Sequence, residues 1–221
     1  MNELLAREEI CRVGRSLFER GYVHATAGNI SVRLDDGGYL ITPTEACLGF
    51  LDPVRLARLD ADGRLIDGGP ASKTITLHMR IYATARITDR YTSCVIHTHS
   101  THCVALTLRH HDGELLPPIT PYFVMKVGHV PVIAYERPGA PAAAEAVADA
   151  IERYALAGKP IRAVMLERLG PNVWHDTPGA AMAILEELEE TARLVCLARE
   201  VPRLLGPAQI DELRTTFGAR W

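Results

Sequence analysis

The spacing of apolar positions switches repeatedly between helical and strand periods along this chain. Ile10, Val13, Leu17 and Phe18 form the one-sided stripe of an amphipathic helix, with Asn2 placed to cap it and Gly21 to end it. Ile30, Val32 and Leu34 then alternate with polar residues as in a half-buried strand. A turn at Asp35–Gly38 returns the chain into a second strand at Tyr39–Ile41. Asp52-Pro53 suits a helix cap and first position, and Asp60–Gly63 is another turn. A helical pattern over Ser72 to about Arg86 carries Ile75, Leu77, His78, Ile81 and Tyr82. Cys94–His97 reads as a short buried strand and Thr101–Leu108 as a helix. Pro117–Pro121 interrupts regular structure, and Val130–Ile133 has the proline of an edge strand. Ala140–Leu156 is an alanine-rich helix, and strands at Ala163–Leu166 and Val173–Trp174 flank Gly170. Pro178 to about Glu200 is the last long helix.

Interleaved helices and strands predict a layered α/β domain. The short hairpin links predict a mixed or mainly antiparallel sheet rather than a doubly wound parallel one. No repeat or linker divides the chain, so residues 1–221 are expected to form a single domain. A hydrophobic content of 48% against 23% charged residues excludes a disordered chain. The net charge of -3 gives no basic excess for nucleic acid or an acidic membrane surface. With no apolar run long enough to span a bilayer and a charged, helix-like N-terminus, a cytoplasmic location is expected. The five cysteines form no CxxC pair and suit small buried apolar positions.

Candidate chemistry begins at His97-Thr98-His99, directly after an apolar strand. Residues two apart on a strand face the same way, so two imidazoles can converge on one point, and imidazole suits zinc and similar divalent ions. The pair alone equally fits two hydrogen-bonded surface histidines. His102 suits a capping or packed histidine, and His110-His111 suits a solvated loop. A second set comprises Thr26-Ala27-Gly28-Asn29, Thr42-Pro43-Thr44 and Ala71-Ser72-Lys73. These stretches supply hydroxyls, free N–H groups, a cation and a helix start, which together could cradle a phosphate. Separately they are ordinary turns.

Taken in order, TAGNISVR, ITPT, ASKTITLH and VIHTHSTHCVALT resemble the class II aldolase/adducin family. ITPYFVMKVGHVPVI, LERLGPNVW and LEELEETARL look like its branch of 3-oxo-tetronate 4-phosphate decarboxylases. The resemblance implies a three-layer α/β/α sandwich around a central mainly antiparallel sheet, in a homotetramer with active sites between neighbouring subunits. It implies a divalent metal, zinc first with manganese, cobalt or iron as alternatives, held by His97 and His99. It further implies a phosphate cradle of Thr26, Gly28, Asn29, Thr42, Thr44 and Ser72, and an acid/base Tyr122 reaching in from the adjacent subunit. Lys73, beside Ser72, is then placed to compensate the substrate's phosphate or carboxylate.

Two positions depart from the family pattern. The catalytic glutamate four residues before the helix histidine, here His78, is replaced by Thr74, and the third metal histidine is replaced by Leu169 before Gly170. A third ligand must then come from elsewhere, with His129 the first candidate and Glu167 another. The implied reaction is decarboxylation of a phosphorylated sugar acid through a metal-stabilised enediolate. That reaction tolerates Thr74 better than a retro-aldol cleavage, which needs a base to take a hydroxyl proton. The competing readings are a sugar-phosphate aldolase or epimerase and a catalytically silent, adducin-like binding protein.

Overall fold

The structure is a computed structural model describing residues 1–109, 113–200 and 202–221, so His110 and His111 lie outside the described residues. The elements in chain order are α1 (Glu3–Glu19), β1 (Asn29–Arg33), β2 (Tyr39–Ile41), β3 (Ala57–Leu59), β4 (Leu65–Asp67), α2 (Ile75–Ala85), β5 (Cys94–His97), α3 (Thr101–Thr107), β6 (Val132–Ile133), α4 (Pro141–Leu156), β7 (Ala163–Leu166), β8 (Gly170–His175), α5 (Pro178–Leu197) and α6 (Pro207–Phe217). Short 3-10 turns occupy Leu48–Phe50 and Pro53–Arg55, and a π-helical turn occupies Phe123–Val127.

All eight strands join one sheet in the order β4-β3-β2-β1-β5-β8-β7-β6. Every pairing is antiparallel except that of edge strand β6 with β7. Two apolar clusters cover its faces. Ile10, Val13 and Leu17 of α1, Cys103 and Leu106 of α3, and Ile184, Leu185 and Leu188 of α5 pack on Ile30, Val32, Ile96 and Val173. On the other face, Leu77, Ile81 and Tyr82 of α2 with Val147 and Ile151 of α4 pack on Ile41, Leu59, Val95, Val164 and Trp174. This is the expected three-layer sandwich, and the strand alternation produces it: Ile96 faces one helical layer while Val95 and His97 face the other.

The expected elements form with small shifts at their ends. Asn2 caps α1 by accepting from the Leu5 N–H at 3.0 Å. Asp52 caps only a 3-10 turn. The strands on either side of the Asp60–Gly63 turn, β3 and β4, are three residues each, too short to announce themselves by periodicity. Helix α6, for which no element was expected, has no fully buried residue.

One buried carboxylate holds the start of α3 against α5. Glu189 accepts from the His102 N–H at 2.9 Å, the Cys103 N–H at 3.0 Å and His102 Nδ1 at 2.8 Å. These are the orphan donors of a helix N-terminus, here satisfied from another helix. Since α3 follows His97-Thr98-His99 directly, the contact also anchors that segment. Glu189→Ala is expected to lower the unfolding free energy by about 2–4 kcal/mol, because it strands buried donors. Urea denaturation of the two proteins checks this, and a loss below about 0.5 kcal/mol refutes it.

Candidate metal and phosphate site

His97 ends β5, with β1 on one side and β8 on the other. Register places Asn29 opposite it on β1 and Asn172 opposite it on β8. Residues directly opposite in an antiparallel sheet share a face, so the three polar side chains form a buried row. The Asn29 Oδ1 and the Asn172 side-chain amide have no hydrogen-bond partner among the described residues. They therefore flank His97 with unspent bonding capacity. The next same-face position on β1 is Ser31, whose Oγ lies 2.8 Å from both His78 Nδ1 and Tyr82 Oη. This contact roots α2 on the sheet beneath the site.

The tautomer of His97 follows from its neighbour. Nδ1 lies 3.0 Å from the Pro171 carbonyl oxygen, which can only accept, so Nδ1 carries the proton and Nε2 keeps its lone pair. Burial first, then His99, pushes its pKa down to about 4, against the pull of that carbonyl. Burial and then His24 also lower the pKa of His99. Their ring centroids stand 5.1 Å apart. Gly170 makes the packing around them possible: with φ at +135°, a Cβ there would lie 1.9 Å from the Thr98 carbonyl oxygen.

His97 and His99 line a cavity of about 250 Å³ together with Thr26, Gly28, Asn29, Thr44, Ser72, Thr74 and Leu169. The segments before β1, after β2 and before α2 therefore converge as hydroxyl- and amide-bearing walls. Ser72 Oγ and Thr74 Oγ1 are 2.9 Å apart.

Other expected site residues stand elsewhere. Thr42 is buried outside the cavity lining, and its Oγ1 accepts from the Ile30 N–H at 3.3 Å, so it ties β2 to β1. Lys73 is exposed and outside the lining. Tyr122 is 61% exposed at the head of the π-helical turn, outside the same chain's cavity. His129 is not brought to His97 and His99. Its Nδ1 contacts both Glu114 carboxylate oxygens at 2.7 and 2.9 Å, and its ring stacks on Trp221. Glu167 is occupied holding Tyr135, whose N–H it accepts at 3.0 Å.

Among the described residues no three His, Cys, Asp or Glu side chains converge on one point. Two neutral imidazoles, one with its second nitrogen fixed by a carbonyl, fit a divalent ion. Leu169 puts an apolar side chain in the lining where the family pattern has its third histidine. Glu45, Glu136 and Arg137, missed by sequence reasoning, complete the lining. Arg137-Pro138-Gly139 signals only a turn when read along the chain.

The class II aldolase and adducin N-terminal domain profile matches residues 8–196. The chain belongs to this family. It is 50% identical over 222 residues, covering 97% of each chain, to the 3-oxo-tetronate 4-phosphate decarboxylase of Cupriavidus necator. Its structure superposes on that of YgbL from Klebsiella pneumoniae with a TM-score of 0.83 at 38% identity, covering 97% of this chain and 100% of that one. L-fuculose 1-phosphate aldolase shares the fold, with a TM-score of 0.81 at 24% identity over 96% of both chains. The family is generally divalent-metal dependent.

Two outcomes are expected. The pKa of His78 is pushed down to about 3 by burial and then by His97, so both buried histidines are neutral in the fold and take up protons on unfolding. Stability is therefore full above the ordinary histidine range near pH 6.5 and falls as pH drops from there toward 4. The loss by pH 5 is about 2 kcal/mol for each histidine. Urea titrations of the metal-free protein at pH 7 and pH 5 test this, and equal stabilities refute it. Leu169→His should tighten zinc binding by at least roughly tenfold. Calorimetric titration reads this directly, and unchanged affinity would mean that position 169 does not face the ion.

Proposed function

We propose that this protein is a carboxy-lyase that converts 3-oxo-tetronate 4-phosphate to dihydroxyacetone phosphate and carbon dioxide. The observation that carries this reading is the 50% identity, over 97% of both chains, to a decarboxylase of that name. The site supports it in three ways. Thr26, Asn29, Thr44 and Ser72 offer donors suited to a phosphate at one wall of the cavity. His97 and His99 present neutral imidazoles at another. Thr74, bonded to Ser72, offers no carboxylate to start a retro-aldol cleavage.

In this reading the C1–C2 bond of the substrate breaks and carbon dioxide departs. The electron pair left at C2 delocalises onto the C3 oxygen, and C2 then takes a proton. A divalent cation held by His97 and His99 supplies positive charge against that developing negative charge; zinc is the first choice, with manganese, cobalt or iron as alternatives. The chain's own contribution is orientation: the donors above hold the phosphate, so the reacting carbons lie over the imidazoles. We assign the proton at C2 to Tyr122 of a neighbouring copy in a homotetramer, supported by its exposure at the head of the π-helical turn. Among the described residues no helix is long and apolar enough to cross a membrane, which agrees with a cytoplasmic enzyme. The silent, adducin-like alternative draws only on the loss of the third histidine at Leu169; the retained imidazole pair and hydroxyl walls count against it.

The test is release of dihydroxyacetone phosphate from 3-oxo-tetronate 4-phosphate made in situ, with and without added divalent metal. Metal-dependent release is expected, with kcat lowered roughly 100-fold or more in His97→Ala. Release no faster than the uncatalysed rate, from folded protein supplied with metal, would sink the proposal.

A further inference from the structure

The proposed substrate carries two anionic ends, and the cavity's hydroxyl walls offer neutral donors to one of them. Arg137 is the one lysine or arginine among the described residues that line this cavity. No carboxylate of the described residues lies within ion-pair distance of it.

Its backbone is held from both sides. The Ala140 N–H donates to the Arg137 carbonyl at 3.0 Å across Pro138 and Gly139, and Gly139 has φ of +78°. That is a type II turn, with proline and glycine at the positions the turn prefers. It runs directly into α4, and on its other side Glu167 holds the Tyr135 N–H. The guanidinium is thus carried on a braced loop, on a different segment from the hydroxyl walls of β1, β2 and α2.

Resting on the decarboxylase reading, we infer that Arg137 is the specificity-determining residue that recognises the substrate's carboxylate, one of the two charges that Lys73 was expected to compensate. A planar guanidinium matches a carboxylate with paired hydrogen bonds. The site of contact also sets its kinetic signature. Decarboxylation drains charge from the carboxylate, so a cation on that group binds the ground state at least as well as the transition state. Arg137 therefore contributes to KM and not to kcat.

The experiment compares wild type, Arg137→Gln and Arg137→Lys. Three readouts are used: steady-state kinetics, and the calorimetric dissociation constants of two unreactive ligands, erythronate 4-phosphate with a carboxylate and erythritol 4-phosphate without one. Arg137→Gln is expected to raise KM and the erythronate 4-phosphate constant roughly tenfold, leaving kcat and the erythritol 4-phosphate constant within about twofold. Arg137→Lys should fall between. Equal weakening of both ligands would place Arg137 on the phosphate and overturn the inference, as would no change in either. If the wild type binds erythronate 4-phosphate through Arg137 but fails to decarboxylate the oxo acid, the inference stands and the decarboxylase reading falls. If the wild type binds neither ligand, both fall.

Discussion

The antiparallel pairing of β5 with β1 on one side and β8 on the other is the constraint on which the site depends. It puts Asn29, His97 and Asn172 in one buried row, and it brings the Pro171 carbonyl to His97 Nδ1. A slip of one residue in β5 would turn His97 into the opposite apolar layer. Ile96 and Val95, packed on opposite faces, prevent that slip through burial. The hydrophobic effect that fixes the register therefore also fixes which ring nitrogen is free.

Burial then acts on the electrostatics. His78 and His97 are both kept neutral by desolvation, helped by His97 acting on His78 and by His99 acting on His97. Neutral imidazole is the form a divalent ion would need, and burial keeps the His97 ring in it. Glu189 contributes from the far layer. By satisfying the first N–H groups of α3, it ties the segment that follows His99 to α5.

The cavity joins segments with unequal freedom. Its hydroxyl-bearing walls come from turns next to the central strands, braced by bonds such as Thr42 Oγ1 to Ile30 N–H. The Arg137 turn comes from the edge of the sheet, where β6 pairs in parallel with β7. An edge loop of this kind can vary without disturbing the central row of Asn29, His97 and Asn172. Leu169 shows the same latitude at the metal: an apolar residue stands in the lining where the family pattern has a ligand, and the backbone path into Gly170 is retained.

By itself the sequence determined the layered α/β class through its interleaved helical and strand periods, the mainly antiparallel sheet through its short hairpin links, and the convergence of His97 and His99 through their period-two spacing. Each follows from geometry within short segments. The motif strings likewise carried Thr26, Gly28, Asn29, Thr44 and Ser72 to the cavity wall. Only the tertiary structure separated Thr42 from Thr44, because whether a hydroxyl faces a cavity or a neighbouring strand depends on the partner strand. It moved His129 away from the metal by pairing it with Glu114 and Trp221, partners distant in sequence. It also left Lys73 outside the cavity lining and put Arg137 in it, since closeness along the chain to a phosphate loop does not decide which cation shares its cavity. That is settled by long-range packing of α4 and β6 against the sheet, which local periodicity does not encode.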